Sequence, residues 1–182
     1  MPFPIAHSLI GASVAAALDT RLEARPRLLW LCALLAVSPD ADYFLNWLHV
    51  GRGGWHHGFT HSIVFALFAG ALTALVLRWR SVRGFLIFSA AIASHGLLDY
   101  VMTESRGIAL WWPFTDRRYK FRGPNPIDYT WSSTSFWDAA VNVLRITFLE
   151  LLLFAPLLLV VIVVRRRRMR ARSIVDKDRF DL

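Results

Sequence analysis

An all-α integral membrane helical bundle, four to five apolar helices with a long aromatic and basic link before the last, is what this sequence predicts, and three observations predict it. The 182 residues are 55% hydrophobic and 14% aromatic, above the roughly 45–50% apolar content of a soluble domain, and the mean hydropathy is +0.42. The apolar residues gather into five runs. Arginines collect in the short connections and after the last run. No Gly/Ser-rich linker or repeat divides the chain, which reads as one membrane-embedded unit, 1–164, followed by a basic tail, 165–182. Cys32 is the only cysteine, which excludes an internal disulfide and a multi-cysteine zinc site. The opening Met1-Pro2-Phe3-Pro4 lacks the basic region of a secretory signal, so no cleavage is expected.

The runs cover residues 5–18, 28–50, 60–77, 84–101 and 146–164, against the ~20 residues that cross a bilayer. The first is short and compatible with entering one leaflet. The second contains Ser38-Pro39-Asp40-Ala41-Asp42, where proline cannot continue the helical ladder and the run should break; Ser38 is a candidate cap for its second half, with Pro39 at the first position. Trp55-His56-His57-Gly58-Phe59-Thr60-His61-Ser62 reads as a loop entering the third helix, with Thr60 as N-cap. The last run carries one charge, Glu150, and a tolerable kink at Pro156.

Arg21, Arg25 and Arg27 lie between the first two runs, Arg78, Arg80 and Arg83 between the third and fourth, and Arg165, Arg166, Arg167, Arg168, Arg170 and Arg172 after the fifth. The positive-inside rule makes all three clusters cytoplasmic on one up-and-down path. The net charge of +8 therefore reads as contact with anionic lipid rather than with nucleic acid. The expected location is the cell inner (plasma) membrane, multi-pass, with the tail cytoplasmic and the link 102–145 facing outward. That link is itself basic, but long connections obey the rule weakly.

Asp40, Asp42, His61, His95 and Asp99 sit among leucines, alanines and phenylalanines, where a charge at the bilayer centre costs at least ~2.5 kcal/mol. A divalent cation would offset that cost, since carboxylate and neutral imidazole are ligands for zinc, manganese or iron. His95 and Asp99 are four apart and share a helix face. On the expected topology His7, Asp40, Asp42, the 56–61 histidines, His95 and Asp99 all fall toward the outer face. Within the loop, helical spacing prefers His57 with His61. His49, alone, reads as an interfacial histidine.

These motifs resemble the YdjM-like family of inner-membrane metal-dependent hydrolases, itself distantly similar to zinc-dependent phospholipase C. His7 with Gly11 is similar to the family's His-x-x-x-Gly, Pro39-Asp40-Ala41-Asp42 to its Pro-Asp-x-Asp, and His56-His57-Gly58-Phe59-Thr60-His61-Ser62 to its His-Arg-Gly-x-Thr-His-Ser. Ser94-His95 through Asp99, then Thr103, Gly107 and Trp112-Pro113, resemble the Ser-His…Asp and Thr…Gly…Trp-Pro elements. His57 stands where the family has arginine. The resemblance thus implies His56, not His57, as the ligand beside His61, and leaves His57 as a headgroup or phosphate contact without arginine's planar fork.

The expected cofactor is a divalent metal, zinc first with manganese or iron as alternatives, in one or two copies. His7, His56, His61, His95 and Asp99 are the expected ligands, with Asp40 and Asp42 either ligand and bridge or ligand and general base. Two bridged metals would activate water and stabilise both oxygens of a phosphoester displacement. Arg117, Arg118 and Arg122 in the aromatic link are the candidate donors to a substrate phosphate, beside the plainer reading of that link as an interfacial belt. The expected function is a membrane-bound hydrolase acting on a phospholipid or isoprenoid phosphate, the alternative being a non-enzymatic metal-binding or transport protein.

Overall fold

The computed structural model describes residues 2–19, 26–48, 56–79, 81–103, 106–129 and 134–180, the last eleven and Asn46 by backbone alone. His49, Arg21, Arg25, Arg80 and Trp131 lie outside the described residues.

The described residues form six α-helices in order: α1 Pro4–Leu18, α2 Arg27–Val37, α3 Asp42–Trp47, α4 Ile63–Val76, α5 Val82–Met102 and α6 Phe136–Phe180. α2 and α3 are two halves of one span, joined by a 3-10 turn at Ser38–Ala41. The break expected at Pro39 is therefore a tightening of the helix. Ser38 does not cap: its hydroxyl donates back to Leu35 O at 2.7 Å, because the helix never opens there and offers no free amide. A second 3-10 turn, Phe59–His61, precedes α4. Thr60 lies inside it, and the N-cap is Ser62, whose Oγ accepts from Phe65 N at 3.1 Å.

Among the described residues, three segments are long and apolar enough to cross a membrane, Arg27–Leu45, Val82–Met102 and Phe136–Met169. Their surroundings are inverted relative to a soluble protein. Small residues such as Ala6, Ala15, Ala36 and Ala91 are buried at the helix contacts, while Trp30, Leu34 and Phe68 are 76%, 70% and 68% exposed. Lipid is the solvent that suits such a surface, and small residues let helix backbones approach. Gly11 is one such position: a Cβ there would collide with Cys32 O and Ala36 of α2. Gly96 is another, since a Cβ would strike His61 O and push the histidine turn off α5.

The last helix starts earlier than its apolar run suggests, so the link ends before Phe136, Trp137 and Arg145, all of which are helical. The cause is a serine–aspartate start: Ser135 Oγ accepts from Asp138 N at 3.2 Å, and the Asp138 carboxylate accepts from both Thr134 and Ser135 hydroxyls, a capping-box spacing. At 45 residues and ~1.5 Å per residue, α6 is about 68 Å long and continues through residue 165 without interruption.

α1 and α6 run in the same direction, since Ala6 meets Glu150 and Ala16 meets Arg165. α1 and α4 have 15 and 14 residues, about 22 and 21 Å against a ~30 Å hydrocarbon core. Both begin at one depth, at His7 and just after His61. The link folds over these short ends: Ala109 N donates to His57 O at 3.0 Å, Ile63 N to Leu110 O at 3.1 Å, and Phe121 N to Tyr100 O at 2.7 Å.

Candidate metal centre

Four elements bring the polar residues together at that depth. The first turn of α1 supplies His7, the 3-10 turn between α2 and α3 supplies Asp40, and the turn before α4 supplies His61. The C-terminal half of α5 supplies His95 and Asp99. His7, His95 and Asp99 are fully buried, and His61 is 2% exposed.

At the centre are His61 Nε2, His95 Nε2, Asp40 Oδ1 and Asp99 Oδ2. The two imidazole nitrogens are 3.0 Å apart. Each lies close to Asp99 Oδ2, at 3.2 Å from His61 and 3.3 Å from His95, and to Asp40 Oδ1, at 3.7 and 3.3 Å. A tetrahedral ion with bonds of ~2.0–2.1 Å has ligand atoms about 3.3–3.4 Å apart, and these five separations bracket that value.

The tautomers reinforce the fit. His95 Nδ1 is 2.7 Å from Ala36 O, an acceptor only, so Nδ1 carries a hydrogen and a neutral His95 ring presents Nε2 to the centre as a lone pair. His61 Nδ1 lies 3.0 Å from Thr60 Oγ1 and 3.5 Å from Asp42 Oδ2, and the Thr60 hydroxyl donates to Asp42 Oδ2 at 2.6 Å. With that hydrogen spent, Thr60 Oγ1 is an acceptor toward Nδ1–H, and His61 Nε2 also faces inward as a lone pair. Two lone pairs and two carboxylate oxygens converging in an apolar bundle repel one another unless a positive charge lies among them. This pattern of an outer acceptor fixing each imidazole is the usual arrangement behind metal-bound histidine.

His7 Nε2 is 3.7 Å from Asp99 Oδ1, and its ring stacks on His95 with centroids 3.8 Å apart. Neither His7 nitrogen, neither Asp99 oxygen nor Asp40 Oδ1 has a hydrogen-bond partner among the described residues. Asp99 presents one oxygen to His61 and His95 and the other to His7. His7–His95–Asp99, Asp40–His61–His95, His56–His57–His61 and Asp40–Asp42–His56 each offer ligand atoms within 4.8 Å of one another.

Asp42 accepts from Thr60, sits 2.9 Å from His56 Nδ1 and faces His61 Nδ1, so its oxygens hold two imidazoles and a hydroxyl while also belonging to the Asp40–Asp42–His56 group.

The family model described as YdjM inner membrane protein matches residues 1–169. The chain belongs to that family. Among curated proteins, this YdjM-family chain is 34% identical over 125 residues to the Inner membrane protein YbcI of Escherichia coli (strain K12), covering 65% of this chain and 72% of that one. No solved structure matches it.

The remaining candidates divide. His56 and Asp40 form the open side of the cluster, with side chains 14% and 13% exposed. His57 is buried, with its backbone in the left-handed region at φ 61°, uncommon for a side chain larger than glycine. That turn sets its ring 4.0 Å from His56 and its Nε2 3.8 Å from Asp99 Oδ2. Burial pushes the His57 pKa down to about 3, with the neighbouring His56 adding to the effect, so it stands as a neutral donor of a lone pair. His57 shares with His56 and His61 a group whose nitrogens lie within 4.8 Å of one another. Of the three arginines expected at a substrate phosphate, Arg118 reaches the site, its guanidinium donating to His56 O at 3.3 Å and Gly107 O at 3.4 Å. Arg117 is exposed over the Tyr119 ring, and Arg122 is exposed beside Thr103 and Asn125. Sequence reasoning missed the part played by Thr60 as the hydroxyl that joins Asp42 to His61.

Proposed function

We propose that this YdjM-family protein is a membrane-embedded metal-dependent hydrolase that cleaves a phosphoester presented at the membrane surface, a phospholipid or an isoprenoid phosphate. The observation that carries this reading is the convergence of His61, His95, Asp40 and Asp99 at separations suited to one divalent cation, with His7 and the second oxygen of Asp99 extending the set toward another. Zinc suits the nitrogen and oxygen donors, as do manganese and iron. A cation held by these residues would supply Lewis acidity toward an attacking water and a phosphoryl oxygen.

The chain's own residues supply the rest. Asp42 and Thr60 orient the His56 and His61 rings. Asp40 sits on the open side, and the oxygen it does not turn to His61 and His95 is the carboxylate oxygen suited to taking the proton from an attacking water, because Asp42 is already engaged by its donors. Arg118, fixed against His56 O, is the base best placed to bind a phosphate, and the apolar link excludes bulk water. The recessed depth suits a substrate whose tail stays in lipid and whose headgroup reaches the cluster.

The opposite end of the bundle carries Arg83 and Arg165, each donating to a carbonyl in the last turn of α1. With the positive-inside rule this supports a cytoplasmic basic end and a site toward the outer face. Cysteine labelling of intact cells in a Cys32→Ser background tests it: Gly53→Cys should label from outside and Ser173→Cys should not.

The experiment for the activity is an assay of phospholipids and isoprenoid phosphates with protein in detergent micelles, with and without chelator. Chelator-sensitive hydrolysis that Asp40→Asn lowers by at least a hundredfold is the expected result. Metal-loaded protein that hydrolyses none of them would leave a structural or transport role for the metal.

A further inference from the structure

Glu150 is the one acidic residue in the middle of the α6 span, and it is fully buried. Its neighbours are specific. Glu150 Oε1 accepts from Phe3 N at 2.5 Å and from the Tyr129 hydroxyl at 3.2 Å, and Oε2 accepts from Ala6 N at 3.0 Å. Phe3 is the N-cap residue of α1 and offers no side-chain cap of its own, while Pro4 follows at the first helical position.

The first-turn amides of a helix have no partner within it, and in lipid no water replaces one. Proline removes one such donor. Glu150 takes two of the others, and its charge complements the positive end of the α1 dipole. A carboxylate from the last helix thus performs the capping that α1 cannot supply for itself. The consequence falls on the next residue, since His7 directly follows the capped Ala6 and its ring reaches His95 and Asp99. At the other end of α1 the Arg83 guanidinium donates to Leu18 O at 2.6 Å, and Arg165 donates to Ala16 O. α1 is thereby pinned lengthwise, its height set from outside itself.

We propose that Glu150 is the positioning residue of the metal centre: by capping α1 from α6 it fixes the height of His7 against Asp99, and Tyr129 ties the link to the same carboxylate. This inference deepens the metal-dependent reading and rests on it for its effect on metal, whereas the anchoring of α1 stands independently.

The test uses the full chain in detergent micelles, with cobalt(II) as the metal probe, in wild type, Glu150→Ala, Glu150→Gln, His7→Ala and the double variant Glu150→Ala/His7→Ala. Hydrogen exchange of residues 2–9 is measured alongside cobalt affinity. Glu150→Ala should speed exchange of residues 2–9 while leaving α4 and α5 protected, and weaken cobalt binding by about ten- to a hundredfold, the range for an outer partner of a ligand. In the His7→Ala background the same change should do little more to cobalt, because the effect passes through His7. Glu150→Gln keeps one carbonyl oxygen and should fall between wild type and alanine; it also carries the test if the alanine variant does not fold. A cobalt loss of equal size with and without His7, or exchange that rises in every helix alike, overturns the positioning role. If wild type binds no cobalt, the metal reading fails, and selective loosening of residues 2–9 still upholds the anchor or its absence removes it.

Discussion

Two buried polar clusters lie in the same apolar bundle, and they differ in how their hydrogen bonds close. Around Glu150 two amides and a phenol meet one carboxylate, so donors and acceptors match within the protein. Around Asp99 two carboxylates and inward-facing imidazole lone pairs meet one another, with both oxygens of Asp99 and both nitrogens of His7 lacking hydrogen-bond partners among the described residues. An apolar medium tolerates the first arrangement because it is complete. It tolerates the second only with an added positive charge. The contrast separates a polar site that closes on itself from one whose donors and acceptors do not close without a cation.

The sharpest way to break this contrast is to remove a central donor. His61→Ala and His95→Ala should each abolish stoichiometric metal binding, whereas His49→Ala should retain it; the metal content of the three purified variants decides it. Equal retention in all three would mean the separations at the centre are coincidental.

A smaller effect is expected from Asp42→Asn. Because Asp42 holds His56 and Thr60 and faces His61, the variant should still bind metal, some ten- to a hundredfold more weakly, as competition with a calibrated chelator would measure. Unchanged affinity would assign Asp42 no part in orienting the rings.

Acidification should act in the same direction. The imidazoles must be neutral to bind a cation, so metal affinity should fall as pH drops; affinity that rises on acidification would contradict histidine ligation.

Least affected should be the link arginines. Arg118→Ala, beside His56 O, should raise KM for a phosphate substrate severalfold with kcat little changed, and Arg117→Ala, exposed over Tyr119, should change neither. Steady-state kinetics on whichever substrate the micelle assay reveals makes the comparison.

Much of the architecture was legible because lipid imposes simple rules. The runs of apolar residues become α1, the α2–α3 span, α4, α5 and α6, and His7, Asp40, His61, His95 and Asp99 meet as the threading of five helices implies. What sequence could not resolve was local. The start of α6 was hidden because Val141, Val143 and Leu144 alternate with charged and polar residues, and the Ser135–Asp138 capping signal lies ten residues ahead of the apolar run. The N-cap of α4 is Ser62 and not Thr60 because the 3-10 turn at Phe59–His61 takes Thr60 into itself and starts the helix two residues later. The separate tasks of Asp40 and Asp42 depend on which side of a turn each carboxylate leaves, and that is set by Thr60 and His56 from a segment fourteen to twenty residues away.

The central claim, that a cation belongs among His61, His95, Asp40 and Asp99, is tested most directly by elemental analysis of the full chain purified in detergent after expression in metal-replete medium. One to two equivalents of zinc, manganese or iron per chain, lost in the His61→Ala variant, is the result this account predicts. Wild-type protein that is folded and carries no stoichiometric metal would contradict it.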